Sequence, residues 1–94
     1  MSEQFPRGEN DVTVRYWASA RSAAGIAEES VPAGSLADVL TEIHRRHRDR
    51  DRFEDVIGTC SILIGETPVG SRDHADVRVS AGDSVELLPP FAGG

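Results

Sequence analysis

The 94-residue chain contains no lysine, and all ten of its basic residues are arginine. Without an ε-amine, the chain cannot receive an isopeptide bond on its own side chains. Cysteine is nearly absent too. The single Cys60 excludes an internal disulfide and points to a reducing compartment, the cytoplasm. No apolar run approaches the ~20 residues of a membrane helix. Met1 to Asp11 has no apolar stretch, which argues against a secretory signal. Aromatic residues make up only 5%, and the one tyrosine and the one tryptophan, Tyr16 and Trp17, are neighbours. Only one of that pair can enter a core. The length allows one domain with a small core. The 38% hydrophobic and 28% charged content, with mean hydropathy −0.33, is that of an ordinary soluble domain.

Acid outnumbers base by 16 to 10, a net charge of −6 that disfavours nucleic acid and anionic membranes as partners and suits a basic protein surface. The charge is uneven. Residues 45–52 hold five arginines against two aspartates (+3), and the rest of the chain holds five against fourteen acids (−9).

Residues 1–10, polar and aperiodic with Pro6 and Gly8, read as a disordered leader. Val12, Val14, Tyr16 and Ala18 then alternate with Thr13, Arg15 and Trp17, a strand signal. Ser19 to Gly25 reads as a small-residue loop and Ile26 to Val31 as a second strand in a hairpin with the first. Ser35 with Asp38 forms a capping box ahead of Leu36, Val39, Leu40, Ile43 and His47, one face of an amphipathic helix ending near Arg48 to Arg50. Phe53, Val56 and Ile57 suggest a short helical turn plugging the core. Cys60–Ile64, Thr67–Val69 with Pro68 marking an edge, and Ser84–Leu88 complete the strands. The order ββαβββ predicts an α+β fold over residues 11–90: a mixed sheet of four to five strands packed on one main helix, a β-grasp, with the first and last strands central and parallel.

The end of the chain carries the chemistry. Pro89 and Pro90 stop the last strand and hold the final residues extended, away from the body. Phe91, Ala92, Gly93 and Gly94 form a short flexible tail, and two glycines without side chains can thread a narrow channel. The usable group is then the Gly94 carboxylate.

Val12-Thr13-Val14-Arg15-Tyr16-Trp17-Ala18 with Arg21 and Gly25, the Leu36–His47 helix, Ala81-Gly82-Asp83 and Leu87-Leu88-Pro89-Pro90 to Gly93-Gly94 carry a resemblance. The sequence resembles the MoaD/ThiS-type sulfur carriers of the β-grasp superfamily, and among them the small subunits of molybdopterin synthase. The apolar-Pro-Pro-x-x-Gly-Gly end is the specific part. The resemblance implies that a ubiquitin-activating-type adenylyltransferase, using ATP and Mg, adenylates Gly94. A sulfur donor protein then makes a thiocarboxylate. The tail (Pro89, Pro90, Phe91, Ala92, Gly93) inserts into the large synthase subunit, and sulfur passes to a pterin precursor in molybdenum cofactor biosynthesis. The chain itself would bind no cofactor or metal and would be catalytic only with its large partner. Trp17, Arg21 and Leu88 are the positions such carriers use for docking. Strand alternation agrees for two of them, since it places Trp17 and Leu88 on one exposed sheet face.

Other residues read as structural. Cys60 begins an apolar strand and lacks a partner cysteine. His44, His47 and His74 form no metal cluster with it and read as solvated or half-buried. The arginine run reads as a solvated helix end. Three alternatives stand beside the molybdopterin reading: a carrier for thiazole or cysteine synthesis, a ubiquitin-like protein modifier, and an interaction module whose tail has no chemistry.

Overall fold

The computed structural model describes residues 10–90. The leader reading, apart from Asn10, and the tail residues Phe91, Ala92, Gly93 and Gly94 lie outside the described residues.

Five strands form one sheet: β1 (Asp11–Tyr16), β2 (Glu28–Pro32), β4 (Ser61–Ile64), β5 (Thr67–Pro68) and β7 (Ser84–Leu88). Their order is β2-β1-β7-β4-β5. The first and last strands are central and parallel, with Val14 beside Val85 and Tyr16 beside Leu87. All other pairs in this sheet are antiparallel. Pro68 sits on the edge strand β5, where a residue without an N–H costs no ladder bond. The predicted α+β β-grasp stands, with the last strand bounded as the alternation indicated.

The helix α2 (Leu36–Arg46) covers one face of the sheet. Its Ser35 hydroxyl accepts from the Asp38 N–H, and Asp38 returns a bond to the Ser35 N–H. Such a cap is worth about 1 kcal/mol. Leu36, Val39 and Ile43 from α2 meet Val12, Val14, Val85 and Leu87 from the sheet, all buried. Each such side chain contributes about 1.5–3 kcal/mol on leaving water. The short helix α3 (Phe53–Gly58) inserts Phe53 and Ile57 into the same core, as the plug reading expected.

Four expectations need correction. Ser19 to Gly25 is not a loop: a helix, α1 (Ala18–Ala24), follows β1 and ends on Gly25 in the left-handed conformation. Its buried residues are Ala20 and Ala24, too small to announce a helical face. The first strand stops at Tyr16, because Trp17 turns the chain into α1. The second starts at Glu28, since Gly25, Ile26 and Ala27 make the bend, and the helix between them means the pair is no tight hairpin. Helix α2 stops at Arg46, with His47 as its cap and Arg48 to Asp51 in turns. In addition, β3 (Gly34–Ser35) and β6 (Arg78–Val79) form a two-stranded ribbon at the start of α2.

Candidate functional site

The site is built around the place where β7 leaves the sheet. The β7 register puts Leu87 beside Tyr16 of β1, so Trp17 and Leu88 come next as neighbours at the same end of the two strands. Tyr16 points inward and is 2% exposed, whereas Trp17 is 48% and Leu88 36% exposed. Trp17 and Leu88 are two of the three exposed large hydrophobic side chains among the described residues. Pro89, half-buried, and Pro90 come at once after Leu88 and stop the ladder, because neither can donate an N–H.

The backbone at Trp17 is fixed from both sides. Its N–H donates to the Leu87 carbonyl at 3.2 Å, and its carbonyl accepts from the Ala20 N–H at 2.8 Å and the Arg21 N–H at 3.4 Å. Ala18 has φ +49°, the one non-glycine residue with positive φ among those described. That conformation costs about 1–3 kcal/mol and lets the chain turn sharply out of the strand beneath the indole.

Arg21, exposed on α1, joins Arg15, Trp17, Ala18, Ala27 and Glu28 around a shallow hollow beside the indole. Two of the three predicted docking residues, Trp17 and Arg21, thus line one hollow, while Leu88 lies at the end of the neighbouring strand. Sequence reasoning left out the polar side chains interleaved with them. The Arg15 Nε lies 3.4 Å from Glu28 Oε1, and Arg15 Nη1 lies 4.0 Å from Glu86 Oε2. Glu86 Oε1 accepts from the Trp17 indole N–H at 2.8 Å. The pairing of Arg15 with Glu86 across the parallel ladder was available from the alternation, but the reach of the indole was not.

Away from this surface, Cys60 carries a half-buried thiol that donates to the Val56 carbonyl at 3.4 Å. Burial pushes its pKa up to about 11, so it is a neutral thiol rather than a nucleophile at ordinary pH. His47 is buried, 9% exposed, and not solvated. Its Nε2 is 2.7 Å from Glu29 Oε2. His44 lies half-buried with its ring 5.4 Å from that of Phe53. Among the described residues no group of three or more His, Cys, Asp or Glu is arranged to hold a metal ion. No helix among them is long and apolar enough to cross a membrane.

Comparison with known proteins identifies the lineage. The ThiS family matches residues 14–94, from the middle of β1 to the last glycine. The chain belongs to the ThiS family. No curated protein gives a significant match to this ThiS-family chain, but solved structures do. A Pyrococcus furiosus protein assigned as molybdopterin converting factor, subunit 1, is 25% identical with a TM-score of 0.69, covering 86% of this chain and 98% of that one. Small archaeal modifier protein 1 of Methanosarcina acetivorans is 23% identical with a TM-score of 0.72, covering 89% of this chain and 96% of its own. Subunit 1 in a Helicobacter pylori complex of subunits 1 and 2 of molybdopterin-converting factor is 21% identical with a TM-score of 0.60, covering 89% and 99%. The ThiS-family chain thus shares its fold with a molybdopterin converting factor subunit and a small archaeal modifier protein.

Proposed function

We propose that this ThiS-family chain is a sulfur carrier, and that it serves as the small subunit of a molybdopterin synthase in the cytoplasm. The observation that supports this most is the exit of β7. A central strand ends in Leu88-Pro89-Pro90 beside an exposed tryptophan, and the sequence then runs Phe91-Ala92-Gly93-Gly94. The reacting group is the Gly94 carboxylate. A free carboxylate is a poor electrophile, so activation comes first. A carboxylate oxygen attacks the α-phosphorus of ATP on an activating adenylyltransferase, with Mg supplied there, and pyrophosphate leaves. Hydrosulfide, released from a donor-protein persulfide by a thiol that is left in a disulfide with the donor, then attacks the acyl carbon, AMP leaves, and a thiocarboxylate remains. The body docks through Trp17, Leu88 and Arg21, while Pro89, Pro90, Phe91, Ala92 and Gly93 carry the sulfur into the large subunit. In the H. pylori relative, subunit 1 is found in complex with subunit 2, which supports such a partner.

The test is the intact mass of the untagged protein after incubation with the activating enzyme, ATP and a sulfur donor. The expected result is the mass change of replacing one oxygen by sulfur, lost when Gly94 is deleted. Recovery of the free acid alone would overturn the carrier reading. The same thiocarboxylated protein, mixed with the large synthase subunit and the pterin precursor, should lose its sulfur. Retention there, with transfer to a thiazole or cysteine pathway enzyme, or to lysines of other proteins, would reassign the client.

A further inference from the structure

Trp17 is the most exposed large hydrophobic side chain among the described residues, yet its polar edge has a partner. Its indole N–H donates to Glu86 Oε1 at 2.8 Å. Glu86 is itself held. Its other oxygen accepts from the Ser84 hydroxyl at 2.8 Å and faces Arg15 Nη1 at 4.0 Å. Its side chain is only 13% exposed. It stands on β7, the strand paired with both β1 and β4, so its backbone is held by a ladder on each side. Beneath the indole, the Trp17 backbone is bonded on both sides and followed by the left-handed Ala18.

We propose that Glu86 is a positioning residue that holds the Trp17 ring in its binding orientation before any partner arrives. Ordering a rotamer-rich side chain on association costs binding free energy, and a side chain already ordered avoids that cost. The indole N–H is also already satisfied. The partner pocket for Trp17 is therefore an apolar one with no need of a hydrogen-bond acceptor, because its walls meet a ring whose polar edge is turned to Glu86. Partner docking itself rests on the sulfur-carrier reading, whereas the state of the ring in the free protein does not.

Because Trp17 is the only tryptophan, its fluorescence anisotropy decay reports this one ring. Glu86→Ala should add a fast local component in the free protein, and Glu86→Gln, whose amide oxygen still accepts from the indole, should remove it again. Binding of the large molybdopterin synthase subunit should weaken roughly three- to tenfold in Glu86→Ala and return close to wild type in Glu86→Gln. In a Trp17→Phe background, where there is no N–H to hold, Glu86→Ala should cost nothing further. Thermal unfolding of each variant separates these effects from loss of the fold. An unchanged anisotropy decay in folded Glu86→Ala overturns the proposal. So does an equal loss of binding in both backgrounds, which would mean that Glu86 touches the partner itself. If the wild-type chain does not bind the large subunit at all, the partner assignment fails, and the anisotropy still decides whether Glu86 holds the ring.

Discussion

Glu29, half-buried on β2, is where three donors meet. The Tyr16 hydroxyl and His47 Nε2 both reach Oε2, and Arg46 Nη1 reaches Oε1 at 3.1 Å. Burial alone would raise the carboxyl pKa. The hydrogen bonds from Tyr16, His47 and Arg46 outweigh it and leave the net value below the ordinary 4.5. A carboxyl lowered on folding contributes stability above its unfolded value and loses it as the pH falls through the folded one. Urea unfolding should therefore show stability declining below about pH 4.5, and Glu29→Gln should flatten that decline while lowering stability at neutral pH. Tyr16 shifts the other way. Burial first, then the bond to Glu29, push its hydroxyl far above the usual 10.0. Its contribution is complete below pH 10.0 and is lost as the pH rises further. Tyr16→Phe should flatten the alkaline limb and cost about 1–3 kcal/mol near neutrality. Alternation along β1 was enough to send Tyr16 inward, while Trp17, one residue past the strand, faces outward as the N-cap of α1. Alternation could not show the cluster, because Glu29 and His47 are 18 residues apart and meet only when α2 lies on the sheet.

Among the elements, α1 was the one hidden in the sequence. ASARSAA holds no large apolar residue, so it lacks a visible period of 3.6, and its buried pair is Ala20 with Ala24. The readable sign was Gly25, which ends the helix at φ +81° and donates its N–H to the Arg21 carbonyl. A Cβ there would stand 2.3 Å from Arg50 Nη2. Gly25→Ala should lower stability by about 1–2 kcal/mol, read as a fall in Tm, from the left-handed backbone. Adding Arg50→Ala should recover only the steric share, since the guanidinium end can swing aside but the backbone strain remains. The β3–β6 ribbon escaped for a different reason, because two residues per strand are too few to show alternation. By contrast α2 and β7 were legible, the first from its capping box and apolar stripe, the second from strict alternation closed by two prolines.

At the scale of the molecule, the fold joins its two ends in the middle. Strand β7 completes a sheet whose other central member, β1, is laid down first in the chain. A chain ending at Asp83 should fail to unfold cooperatively by circular dichroism, because β1 and β4 would both lose their neighbour. Contacts this distant in sequence form late and slowly. Trp17 and Glu86 are 69 residues apart, so the ordered ring exists only after the last strand has closed the sheet. An incomplete or unravelled copy, even one carrying an intact glycine end, displays no such ring. The ordered ring is therefore a property of the closed sheet, and any surface that reads the indole reads completed folding with it.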